Sequence, residues 1–265
     1  MRLPNRAKRA HPLPDSIDVV VGANTVPVRL RIHPRARRYL LRVGAGTPPV
    51  VTVPPGGSLV GAQRFLAQHS TWLFRRLERR PQARPFVPGG TVPLRGVDHE
   101  IVRGPDRRGT VAIGAGPSGP ILAVAGRPEH LPRRLTDWLI AQARADLEEA
   151  VFRYAAMVKR KPTAIRLRDT KGRWGSCSSR GLLSFSWRLI LAPAFVLDYL
   201  AAHEVAHLRE LHHGAAFWRL LRRICPETDR AEAWLKAYGS ALHAIGSGEP
   251  ENPTADAVVR NRTSA

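Results

Sequence analysis

The sequence lacks the features that mark a membrane protein or a disulfide-built one. Among its 265 residues only two cysteines occur, Cys177 and Cys225, far apart and without a C-x-x-C pair. That excludes a disulfide framework and a cysteine-based zinc knuckle, and two reduced thiols are expected. No apolar run approaches the eighteen or more residues of a membrane span, the best being LILAPAFVL with a proline inside. The opening MRLPNRAKRAHPLPD is basic but has neither an apolar h-region nor a small-residue cleavage site, so it does not read as a secretory signal and the cytoplasm is expected. No internal repeat is present. Acidic residues are also scarce, 21 against 42 basic ones, for a net charge of +21. Lysine is nearly missing from that excess, with 5 lysines against 37 arginines. Arginine suits bidentate phosphate contacts and makes nucleic acid a candidate partner. Against this, the Arg-Arg pairs are scattered and no recognition module is legible, so a solvated basic surface accounts for the same composition.

What is present is enough apolar residue, 43%, to bury a core in one large or two modest domains. After a flexible basic lead, residues 1–14, short alternating or β-branched runs punctuated by Gly and Pro predict several strands over 16–57. Ser58 can cap a single amphipathic helix, LVGAQRFLAQHSTWLFRRLERR, and FVPGGTVPLRGVDHEIVRG and GTVAIGAGPSGPILAVAG return to strands and turns. Residues 15–126 therefore read as one β-rich module. From 127 a long helix carries Leu135, Leu139, Ala143, Leu147, Val151, Tyr154 and Val158 on one stripe. TAIRLRDT reads as a strand, KGRWGSCSSRG as a loop, and the run Leu182 to Ile190 as an edge strand able to pair with an extended peptide. Pro193 stands at the first position of a helix, AFVLDYLAAHEVAHLREL, that is apolar nearly all round and hence buried. Two more helices follow, and residues 246–265 read as a disordered tail. The expected class is α+β: a β-rich N-terminal module, then a small helical domain, 127–245, with a short sheet and a buried H-E-x-x-H helix.

Four of the ten histidines fall within the eleven residues His203 to His213. His203 and His207, four apart on a helix, present their imidazoles on one face a turn apart, a separation that grips one zinc ion. Glu204 lies between them, beside the first ligand but not aligned with it, so its carboxylate can take a proton from a metal-bound water. This chain's own composition yields a chance H-E-x-x-H only roughly 0.016 times, and two histidines with a glutamate are costly to bury for packing alone. A catalytic zinc needs a third protein ligand and an open position. His213 is preferred over His212, but on a straight helix His213 would sit about 80° from His203, so a break near Leu211 to Gly214 is required. Glu210, seven residues after His203 on the same helical face, is a candidate to hydrogen-bond a metal-holding histidine, and Glu232 is a weaker alternative ligand. A fourth ligand from either would close the site and make the zinc structural. His212, Tyr199 and Tyr238 are unranked candidates for holding an oxyanion.

The segment from Arg166 to Pro226 resembles the YgjP-like metallopeptidases, relatives of the SprT-like and WLM-type zincins. The resemblance rests on R-W-G-S-C at Arg173 to Cys177, S-W-R-L at Ser186 to Leu189, H-E-x-x-H, and HHGAAFW leading to CP. HPRARRYLLRV, VTVPPG and FVPGGTVPLRG extend it forward, to about 15–245 in all. It implies a zinc-dependent hydrolase with His203, His207 and His213 as ligands, Glu204 as base and a protein or peptide as substrate. His212 stands where the family pattern usually has Asn. Trp174 and its neighbours shape a loop against the metal helix or contact substrate, and Cys177 reads as a small packing residue. The SprT-like likeness adds an alternative in which the peptidase acts on proteins bound to nucleic acid.

Overall fold

A computed structural model describes residues 13–22, 24–44, 47–78, 81–104 and 111–248. The expected basic lead and tail therefore lie almost wholly outside the described residues. The architecture is α+β and divides into two compact units, residues 1–82 and 83–265.

In the first unit, strands β1 (Ser16–Val21), β2 (Asn24–Ile32), β3 (Leu40–Arg42) and β4 (Val50–Val53) form one sheet in the order β1-β2-β4-β3. Strand β2 runs antiparallel to β1 and parallel to β4, and β3 closes the other edge antiparallel. Alternation along each strand turns Val28, Leu41, Val51 and Val53 inward against Ala62, Leu66 and Leu73 of two helices. Those helices, α1 (Leu59–Gln68) and α2 (Ser70–Glu78), replace the single helix expected here. Ser58 does cap α1, its hydroxyl accepting from the Gly61 amide at 3.1 Å. The helix then breaks at His69, where the His69 ring takes the Phe65 carbonyl and the Ser70 hydroxyl the Ala67 carbonyl, side chains competing for backbone acceptors.

The second unit begins with a sheet of β5 (Thr91–Leu94), β6 (Val97–Arg103), β7 (Val111–Gly116) and β8 (Gly119–Val124), ordered β5-β6-β8-β7. These strands group with the helical part, not with the N-terminal sheet as the composition change near Gly126 had suggested. The reason is their inward face: Val92, Leu94, Ile101, Leu122 and Val124 share one core with Leu131, Leu135 and Leu139 of α3 (Leu131–Val158). The whole expected stripe of α3 is buried, through Tyr154 and Val158. Arg95, at positive φ in the β5–β6 turn, reinforces the grouping with a bidentate pair to Asp146 on α3, both bonds 2.7 Å.

A three-stranded sheet follows, β9 (Ala164–Arg168), β10 (Gly175–Cys177) and β11 (Leu182–Ser186), ordered β10-β11-β9. Strand β11 is thus the central strand, paired on both sides. The edge expected at Leu182 to Ile190 belongs instead to β10, inside the stretch read as a loop, and residues 187–191 form a 3₁₀ turn. Within that turn Arg188, almost fully buried, donates to Asp169 at 2.7 and 3.2 Å and to the carbonyls of Leu242 and Ile245, tying the end of the last described helix to the sheet. Helix α4 (Ala194–Ala206) starts one residue after Pro193, which occupies the N-cap position. Nine of its residues are buried around its circumference, because α3, β10, α5 (Ala215–Ile224) and α6 (Thr228–Leu242) pack on it.

Candidate functional site

Helix α4 delivers His203 and His207 from its last turn, and the chain then leaves the helical path. His207 is the C-cap, the Leu208 and Arg209 amides close tight bonds to the Val205 and Ala206 carbonyls, and the Glu210 amide also returns to Ala206. Arg209 fixes the exit by donating to the Val158 carbonyl at the end of α3, at 2.6 Å. The return loop brings His213 back over the helix end, as the required break implied. Its Nε2 lies 3.0 Å from His203 Nε2 and 3.2 Å from His207 Nε2. His203, His207 and His213 are the residues whose donor atoms converge, all within 4.8 Å of one another. The carboxylates of Glu210 and Glu232 do not join this cluster, and the exposed His212 ring is outside it as well.

The other ring nitrogens are oriented by partners. His207 Nδ1 donates to the Glu210 carbonyl at 2.9 Å, so Glu210 contributes its backbone and not its carboxylate. Tyr199 donates its hydroxyl to Glu232 Oε1 at 2.9 Å, which leaves the phenol oxygen to accept from His203 Nδ1 at 3.2 Å. Both helical histidines therefore turn an unprotonated Nε2 toward His213. One proton on His213 can serve only one of those two contacts, whereas a cation serves all three rings. The spacing agrees: nitrogens about 2.0–2.1 Å from a tetrahedral zinc stand about 3.3 Å apart. Burial, with the neighbouring His207 and His213, pushes His203 down to about 4, so the ring is neutral near pH 7, as a ligand must be. The cluster runs from buried His207 through half-buried His203 to exposed His213, so it is open on one side.

Around the rings, Phe217 of α5 stacks on His207, centroids 4.5 Å apart, and meets His203 and His213 edge-on at 5.0 and 4.7 Å. Trp218 donates its indole N–H to the His213 carbonyl at 3.1 Å, holding the return loop. These two residues were visible in the sequence only as the tail of HHGAAFW; nothing in composition or spacing gave them a task.

The Glu204 side chain lies against Gly175 of β10. It is almost fully buried, its Oε2 has no hydrogen-bond partner among the described residues, and burial pushes it up to about 8 while the Arg173 charge pulls the other way. Such a carboxyl can hold and release a proton near neutral pH. Cys177, on the same strand, is pushed up to about 11 by burial and by the Glu204 charge, so it stays a thiol and fits the packing role read for it. Gly175 is the residue Glu204 leans on: a Cβ there would stand 2.3 Å from Oε1. Trp174, just before it, stacks flat on His243 at 4.7 Å and 12° and serves as a wall behind β10. Tyr238 is exposed beside Trp234 on α6, in no contact with the cluster. Arg173, whose charge reaches Glu204, stands in the sequence only as the first residue of R-W-G-S-C, with no signal of this role.

The sequence matches the family described as YgjP-like, metallopeptidase domain, over residues 37–238. The chain belongs to the YgjP-like metallopeptidases. No curated protein matches it. Among solved structures, the metallopeptidase zymogen of Pyrococcus abyssi abylysin shares 18% identity over 35% of this chain and 95% of its own, with a TM-score of 0.32. Membership in the YgjP-like family implies a peptidase that uses a metal ion and acts on protein or peptide. Among the described residues no helix is long and apolar enough to cross a membrane.

Proposed function

We propose that this YgjP-like chain is a zinc-dependent peptidase in which His203, His207 and His213 hold the ion and Glu204 is the general base. The observation that carries the reading is the convergence of three imidazole nitrogens, two of them locked as lone-pair donors, next to a buried carboxyl with an unpartnered oxygen. A zinc ion held there supplies Lewis acidity toward water and a peptide carbonyl. Glu204 takes the proton from the attacking water and returns it to the leaving amine. The Tyr199–Glu232 pair and the Glu210 carbonyl keep the two helical rings in the tautomer that donates from Nε2. Strand β10, as the free edge beside Glu204, is where an extended substrate backbone can lie.

The three-histidine donor set with one open side favours catalysis over a closed structural site. The test is elemental analysis of the purified protein coupled to a general protein-cleavage assay, comparing wild type with His203→Ala and Glu204→Gln. Wild type is expected to carry about one zinc per chain and to cleave, His203→Ala to lose both, and Glu204→Gln to keep the zinc while losing cleavage. Undiminished proteolysis by Glu204→Gln removes Glu204 from the role assigned to it.

A further inference from the structure

The charge of the chain is not spread evenly. Residues 1–82 hold fifteen basic residues against three acidic ones, so the first unit supplies +12 of the +21. Its sheet has one face closed by α1 and α2, and strand register decides what the other face carries. Arg29 on β2 pairs with Val50 on β4, which pairs with Arg42 on β3, and Arg31 pairs with Thr52, which pairs with Leu40. Directly paired residues share a face, so Arg29, Arg31 and Arg42 stand together opposite the core, all exposed. The connection from β2 to β3 adds Arg35, Arg37 and Arg38, also exposed. With His33, Thr52 and Arg42 they line a concavity of about 600 Å³.

Two features separate this patch from an ordinary solvated surface. First, it is built on an ordered frame. The His33 ring accepts from the Arg35 amide at 3.2 Å and the Ala36 amide closes onto the His33 carbonyl at 3.0 Å. Tyr39 pins the far end, its hydroxyl accepting from the Ser58 amide at 3.0 Å in space kept clear by Gly61, where a Cβ would stand 2.2 Å away. Second, among the described residues no acid pairs with its arginines. Asp15, Asp18 and Glu78, the acids of this unit, form no ion pair with them among the described residues. Asp18 is the one acid on the same face, out on β1 across from Pro27.

We propose that this arginine-lined face is a binding site for the phosphate backbone of a nucleic-acid duplex. Successive arginines on one side of a strand are about 6.7 Å apart, a repeat suited to contacting successive phosphates, and guanidinium groups bind them bidentately. A concave site admits the ridge of a duplex backbone, whereas a flat bilayer surface meets only its rim. A single strand is disfavoured because no Phe, Tyr or Trp lines the concavity, so unpaired bases find no stacking platform. Recognition is therefore independent of sequence, and it rests on no part of the peptidase reading.

The test is fluorescence anisotropy of a labelled 20-base-pair DNA duplex against full-length protein over a salt series. Two charge-matched triple variants are compared: Arg37→Ala/Arg38→Ala/Arg42→Ala in the concavity, and Arg64→Ala/Arg75→Ala/Arg76→Ala on α1 and α2. Wild type is expected to bind with a steep salt dependence. The concavity variant is expected to lose about 2.7 from the slope of log affinity against log salt and on the order of 100-fold in affinity near 0.15 M salt. The helix variant is expected to stay within about 3-fold, and both are expected to melt and cleave as wild type does. Equal losses in the two variants mean that net charge alone binds and overturn the site. So does an unchanged concavity variant, an absence of wild-type binding at 0.15 M salt, or tighter binding of a single strand or of anionic phosphatidylserine vesicles than of the duplex.

Discussion

Replacing Gly175 by alanine adds one methyl group and asks whether Glu204 must lie where the structure puts it. That methyl carbon would sit 2.3 Å from Glu204 Oε1 and 2.8 Å from both Cδ and Cγ, against about 3.5–4.0 Å for an unstrained contact between carbons. Gly175 has no positive φ, so alanine fits its backbone and the effect is purely steric. Within β10 it pairs with Phe185 of β11, which is held on its far side by β9, so the strand cannot retreat cheaply. The carboxyl must therefore move by about 1 Å or more, and a displacement of that size in a reacting group costs roughly 100-fold in rate, or about 2.7 kcal/mol of barrier. The three histidines are untouched, so zinc content is expected to stay at the wild-type level while kcat/KM on a fluorogenic peptide falls about 100-fold. Overpacking adds a destabilisation of about 1–3 kcal/mol, read separately by thermal melting. A folded, zinc-loaded Gly175→Ala protein with activity within about 3-fold of wild type would refute the role given to the Gly175–Glu204 contact.

Two further outcomes follow from the same contacts. Tyr199→Phe keeps the buried ring and removes the hydroxyl that links His203 Nδ1 to Glu232; zinc affinity measured by chelator competition is expected to fall about 10- to 100-fold, and unchanged affinity would mean the link does not orient the ligand. Asp169 is pushed up by its partial burial but pulled down further by the hydrogen bond and charge of Arg188, so its folded-state value lies below the ordinary one. Its contribution is therefore present in full above about pH 4 and is lost as the pH falls through the depressed value. Asp169→Asn is expected to cost about 1.5–3 kcal/mol at pH 7, toward the low end because Asp169 is half exposed, and to flatten the acid limb of the melting-temperature profile. Identical acid limbs in variant and wild type would contradict that assignment.

Much of the second unit was legible because its signals are local and redundant. The α3 stripe repeats over about six turns, and the α4 pattern combines helical spacing with apolar residues on all sides, so a helix buried along its length is the one arrangement that hides them. The return of His213 was legible as a geometric requirement, since a straight helix would have carried it off the face. What escaped was decided by neighbours distant in sequence. Strand β10 is three residues long and begins with glycine, a poor strand former by composition, and only its antiparallel pairing with β11 makes it a strand and an edge. The strands of 91–124 look like those of 16–53 along the chain; which core they enter depends on the α3 residues their inward faces meet. Glu210 was read through its side chain, yet it is the carbonyl that holds His207, a contribution any residue at that position could make.

The same distinction bears on the arginines. Composition alone favoured a solvated basic surface over a nucleic-acid site as the account of +21, because counting charges does not say which of them share a face. Register does say it: one residue of slip between β2 and β4 would send Arg29 and Arg31 to the helix-covered side and Val28 and Leu30 into water. Burying Val51 and Val53 under α1 and α2 thus fixes the arginine face as a consequence of folding. What folding does not require is six exposed arginines on and beside that face, none of them in an ion pair among the described residues, since their mutual repulsion opposes the compact state. An interaction that neutralises them would offset this cost, and the comparison of charge-matched variants separates that interaction from net charge.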